Sequence, residues 1–171
     1  IIQGVYDTLP EDLAYDQLVD VGDKLLIPAM NDMHVHAPQL GNMGIAMDMQ
    51  LLPWLNTYIF PEETKFADEA YAETIYHSFV SELWRHGTMR AAVFATVHTP
   101  ATHILARAFN EAGMGALIGL VGMDRHTPAT LCNTPAEWAA GMQTLIESLA
   151  SMPLVKPIIT PRFIPSCTPE M

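Results

Sequence analysis

Asp32-Met33-His34-Val35-His36-Ala37-Pro38-Gln39 is an apolar-polar run that carries two histidines one residue apart. Side chains alternate along a strand, so His34 and His36 project to one face while Met33 and Val35 face the other. Two imidazoles converging from one rigid edge supply half of a zinc site, because zinc takes nitrogen ligands at about 2.0–2.1 Å and a catalytic centre usually takes three protein ligands. Alone, the pair also fits ordinary surface or core histidines. The flanking sequence therefore decides.

Upstream, Lys24-Leu25-Leu26-Ile27 reads as a short buried strand stopped by Pro28, and Met30 to His36 as the next strand, ending at Ala37-Pro38. Downstream, Gln39 to Pro61 is a long connection with a short helix around Leu51 to Tyr58, and a loop of this length is more often functional than idle. Its Met43, Met47, Met49, Leu51 and Leu52 either line a pocket or cover a barrel mouth or subunit interface. Helical spacing of Ala70, Tyr71, Ile75, Phe79, Val80 and Leu83 predicts a helix over Phe66 to His86, closed by Gly87 as a left-handed cap. Ala91 to Ala95 reads as a strand, and Pro100 to Ala112 as a helix followed by Gly113. Leu117 to Val121, Pro135 to Ser151 and Val155 to Thr160 continue as strand, helix and strand.

This alternation predicts an α/β fold of parallel strands, buried on both faces and joined by right-handed crossovers. Four such strands are half of an eight-stranded barrel, and a complete one takes about 250 residues. The 171 residues are therefore expected to hold the first half, about four βα units, of a TIM-like (β/α)8 barrel truncated at its carboxyl end. A Rossmann-like open sheet fits the alternation too, but no Gly-x-Gly-x-x-Gly follows a predicted strand.

Half of the residues are hydrophobic, as in a folded domain. A formal charge of -11 with eight Lys and Arg argues against nucleic-acid and anionic-membrane partners. No apolar run approaches the length of a membrane span. The two cysteines, Cys132 and Cys167, form no Cys-x-x-Cys and fit a reducing cytoplasm. The deaminase fold built on His-x-Glu and Pro-Cys-x-x-Cys is set aside, since the chain has neither motif.

Several ordered landmarks share a pattern: Gly22 to Asp32, His34-Val35-His36-Ala37-Pro38-Gln39, Trp54-Leu55 with Phe60-Pro61-Glu62, Phe94-Ala95-Thr96-Val97-His98, Met123-Asp124-Arg125, and Thr160-Pro161-Arg162-Phe163-Ile164-Pro165-Ser166-Cys167. Together they resemble the amidohydrolase superfamily and, within it, the zinc-dependent guanine deaminases. The resemblance implies that residues 1–28 are the remnant of a small β-domain and its link, and 29–171 a partial metal-dependent hydrolase barrel. It implies one zinc per active site with His34 and His36 as ligands, Gln39 hydrogen bonded to the purine edge, and Arg162 and Phe163 gripping the base. The catalytic proton carrier and the other ligands are expected on later strands, none within this chain. For Arg162 the other reading is a surface charge, and for Phe163 a core ring. None of His77, His86, His98, His103 and His126 is expected to bind metal.

The implied reaction is hydrolysis of guanine to xanthine and ammonia by the parent enzyme, with a small-molecule purine as partner. Another amino-heterocycle is the alternative substrate. A partial barrel acting only by association is the rival from another class, because open sheet edges favour a homo-oligomer such as a dimer, or pairing with a missing carboxyl-terminal half. Two departures from the family pattern are Pro28-Ala29, where relatives read Pro-Gly, and Gly87-Thr88-Met89-Arg90, where they read Gly-Thr-Thr-Thr.

Overall fold

A computed structural model describes residues 2–171. The first strand, β1 (Met30–His36), pairs in parallel with β2 (Thr88–Phe94), which pairs in parallel with β3 (Gly115–Gly119). Beyond Leu120 the third strand resumes as β4 (Val121–Gly122). The fourth strand is likewise split into β5 (Val155–Pro157), parallel to β3, and β6 (Thr160–Pro161), parallel to β4. The main sheet thus has the order β1-β2-β3-β5, as expected of successive crossovers.

Side chains from later in the chain satisfy the backbone at the split. The Leu120 carbonyl accepts the Trp138 indole N–H at 2.9 Å and the Thr160 hydroxyl at 2.8 Å, so side chains satisfy it where the ladder is interrupted. Gly119 faces the Thr160 side chain so closely that an added Cβ would collide with it.

Between β1 and β2 the chain forms a 3-10 turn over Ala37–Asn42 and then a continuous helical stretch. That stretch comprises α1 (Leu51–Trp54), a π-helical turn (Leu55–Ile59) and α2 (Phe60–Thr64). Helix α3 (Glu69–Arg85) starts where the Asp68 side chain accepts from the Ala70 N–H at 2.9 Å, and it ends at Gly87, whose φ of 78° is the expected left-handed cap. Helix α4 (Thr99–Glu111) has Pro100 in its first turn. Helix α5 (Pro135–Leu149) opens with a capping box in which Thr134 and Glu137 satisfy each other's backbone N–H groups.

The three long helices cover one face of the sheet. Tyr76 and Phe79 from α3, Leu105 and Phe109 from α4, and Leu145 and Leu149 from α5 bury against Val93, Ile118 and Val155. The other face is open, as the interior of half a barrel is. Met33, Arg90, Leu117 and Lys156 line a recess of about 330 Å³ there. The physical reason is that the helices of these 171 residues pack on one side only.

Lys24-Leu25-Leu26-Ile27 corrects one expectation. It is not a buried strand: it has no ladder partner, and Leu25 and Leu26 are 87% and 85% exposed. An apolar run can be a strand only where another edge pairs with it. No helix among the described residues is long and apolar enough to cross a membrane.

Gly119→Ala should destabilise the protein by about 1–3 kcal/mol through overpacking against Thr160, measurable as a lower urea midpoint with an unchanged slope.

Candidate active site

Strand alternation does what the sequence requires of it at the carboxyl end of β1. The His34 and His36 rings lie side by side, with centroids 5.2 Å apart at an interplanar angle of 71°. Both rest on Phe94, which the ladder places opposite His36: His36 stacks on it at 4.7 Å and 21°, and His34 meets it at 5.1 Å and 59°. The strand is irregular between Asp32 and Val35, and there the Asp32 carboxylate accepts the His34 backbone N–H at 3.0 Å. The imidazole pair is thus held by a ring on the neighbouring strand and by a local backbone bond.

His36 is half-buried and its Nδ1 has no hydrogen-bond partner. Burial, then the Arg162 charge, then His34 lower its pKa from 6.5 to about 3. A neutral imidazole with an unclaimed nitrogen is the form a metal takes. No cluster of three or more His, Cys, Asp or Glu able to hold a metal occurs among the described residues. His34 and His36 therefore fit a metal as a partial ligand set.

The turn after β1 brings Gln39 into the same recess, a cleft of about 390 Å³ lined also by Leu40, Met43, Met47 and Trp54. Of the methionine-rich cluster, Met43 and Met47 border this cleft. Asn42 anchors the turn by donating to the Tyr58 carbonyl at 3.0 Å. Beneath it, the Glu62 carboxylate accepts from Tyr71 and pairs with Lys65 at 2.6 Å. Gly41 lies so near Glu62 that a Cβ would come within 3.1 Å of its Oε1.

Arg162 follows β6, and its backbone N–H donates to the Gly122 carbonyl at 3.1 Å. Its guanidinium is not a surface charge. It donates to both oxygens of Glu63, one bond measuring 2.7 Å, and the two side chains are only 4% and 1% exposed. The Phe60 ring lies 5.4 Å from the guanidinium carbon. Glu63 is the partner that sequence reasoning missed: it lies within the Phe60-Pro61-Glu62-Glu63 stretch, but nothing local links it to a residue 99 positions away.

Phe163 stands apart from the histidine cleft. It packs against the cluster of Leu55, Ile59, Phe60 and Met123, and it borders a neighbouring recess of about 200 Å³ with Leu52, Asn56 and His126. The structure therefore joins His34, His36 and Gln39 in one cleft, holds Arg162 on the Glu63 carboxylate, and puts Phe163 in a separate recess.

Four of the other histidines take local roles. The His98 Nδ1 lies 3.1 Å from the Thr96 hydroxyl, and burial lowers its pKa. His77 pairs with Glu73 at 3.0 Å, and the His86 Nδ1 donates to the Glu82 carbonyl at 2.8 Å. His126, at a φ of 52°, donates to the Pro165 carbonyl at 2.8 Å.

Residues 25–171 match the amidohydrolase family. The chain is 41% identical over 158 residues to a guanine deaminase of Dictyostelium discoideum, covering 91% of this chain and 35% of that protein. It is 37% identical over 151 residues to a guanine deaminase of Escherichia coli, covering 88% and 34%. A crystal structure of guanine deaminase from C. acetobutylicum, with guanine bound in its active site, superposes with a TM-score of 0.90 at 41% identity, covering 95% of this chain and 39% of that one. The chain thus spans about a third of the length of the relatives it matches.

The lowered His36 pKa fixes the sign of a pH effect. Between pH 6.5 and about 3 the unfolded chain binds the proton and the folded chain does not, so stability is complete above 6.5 and declines as pH falls through that window. His36→Gln should flatten this slope relative to the parent, as read from urea midpoints at pH 7, 5.5 and 4.

Proposed function

The chain belongs to the amidohydrolase family, and we propose that it forms the amino-terminal part of a zinc-dependent enzyme that hydrolyses guanine to xanthine and ammonia. The observation that carries this reading is the pair of imidazoles at the end of β1, one with an unclaimed nitrogen, sharing a cleft with Gln39. Residues 29–171 are the partial barrel, and 1–28 lead into it from a small β-domain.

His34 and His36 would hold the zinc, which would supply a water nucleophile at neutral pH. Phe94 keeps the two rings in register for that task. Gln39 offers both an amide donor and an acceptor to the purine edge. Arg162 directs guanidinium N–H groups at a carbonyl oxygen, and Phe163 supplies an aromatic wall. Met43, Met47 and Trp54 offer apolar surface beside the base. The other ligands and the group that carries a proton to the departing ammonia belong to the part of its relatives' length that this chain does not span.

Several observations support the wider setting. Both cysteines are free thiols, which suits a reducing cytoplasm. The open sheet face and the exposed Met30 and Met33 suit association, either with the remainder of a barrel or in a homodimer.

The test uses the full-length protein: zinc content by mass spectrometry and ammonia release from guanine. About one zinc per chain with guanine-dependent ammonia is expected. His34→Ala and His36→Ala should each lose the metal and lower kcat/KM by more than about 100-fold, since even residues that only support a metal ligand cost 10–100-fold. Release of ammonia from another amino-heterocycle but not from guanine would overturn the substrate.

A further inference from the structure

Arg162 directly follows β6, and its guanidinium is buried against the Glu63 carboxylate. The two hydrogen bonds to Glu63 use two of the five guanidinium N–H groups and leave the others for a further acceptor. Sites that grip phosphate or carboxylate leave the guanidinium fork for the ligand. Here a protein carboxylate already occupies it.

From this geometry we propose that Glu63 is a positioning and specificity-determining residue of the base pocket: it fixes the Arg162 fork from α2 and makes the pair net neutral, so that the pocket takes an uncharged purine and disfavours an anionic one. The proposal rests on the base-binding reading of Arg162 given above.

Three features of the pair support it. Its burial means that neither charge is screened, so an unpaired Arg162 would attract any anion small enough to reach it. It joins residues 99 apart, which ties α2 to the segment after β6 and holds the guanidinium carbon 5.4 Å from the Phe60 ring. Finally, deamination of an aminopurine gives an oxopurine that is a stronger acid than its substrate. A neutral pair does not retain the product as its anion forms.

The experiment uses the zinc-loaded full-length protein and measures guanine kinetics together with the binding of hypoxanthine, neutral at pH 7, and urate, anionic at pH 7. Glu63→Gln leaves the guanidinium unneutralised. It should raise KM for guanine about tenfold with kcat falling less than about threefold, and raise the urate-to-hypoxanthine affinity ratio about tenfold. Glu63→Gln/Arg162→Gln is neutral again, and its ratio should return to within about threefold of the parent's. An unchanged ratio in Glu63→Gln, or a ratio that stays raised in the double variant, would overturn the proposal. A merely structural carboxylate would lower thermal stability without moving this ratio. Should Glu63→Gln unfold, Glu63→Asp decides: it keeps the charge but shortens the arm, so the ratio holds while guanine KM rises at least about fivefold, and an unchanged KM sinks the idea. If the parent protein releases no ammonia from guanine, the deaminase reading fails, and the hypoxanthine and urate measurements still judge Glu63. If it binds neither purine, both fail.

Discussion

Every strand pairing among the described residues is parallel, and that single constraint arranges the rest. A parallel neighbour must be reached by a crossover, so helices separate the strands in sequence and cover the sheet. All carboxyl ends then emerge on one side. There β1 delivers His34 and His36, β2 delivers Phe94, and the chain past β6 delivers Arg162. Residues far apart in sequence become neighbours without any strand having to bend toward them.

The elements that depend on period and punctuation were legible. Strand β1 occupies Met30–His36 as read from alternation, and Gly87 and Gly113 take positive φ where the helices before them end. Elements that depend on a partner elsewhere were not. Lys24 to Ile27 has the composition of a strand but nothing to pair with. The split at Leu120 follows from Trp138 and Thr160, 18 and 40 positions downstream, and no local rule announces it. The same holds at the site. The His-x-His pair and the turn that carries Gln39 were readable because they are contiguous. Phe94 as the platform for both rings, and Glu63 as the partner of Arg162, are products of folding and leave no trace in spacing.

Two adjacent buried carboxylates divide the labour of α2. Glu62 accepts from Tyr71 and Lys65 and supports the turn at Gly41, while Glu63 faces the other way to meet Arg162. Burying a charge pair contributes little net stability, since desolvation offsets the attraction and an apolar pair of similar volume would hold the two elements comparably well. The pair is better understood as fixing a charge distribution than as fastening the fold. Around it, Phe60, Phe163 and Met123 supply the apolar packing.

The strand order carries a consequence for assembly. In β1-β2-β3-β5 each strand lies against the strand that precedes it in the sheet's own sequence order, and no later strand is inserted between earlier ones. A ribosome delivers residues from the amino end at about 5–20 per second, and slow delivery suits a sheet that can lengthen by one edge at a time. Once α3 and β2 have emerged, the two imidazoles already have the ring they rest on. All the residues that line the cleft at the end of β1 precede β2 in the chain, whereas Arg162 follows β6.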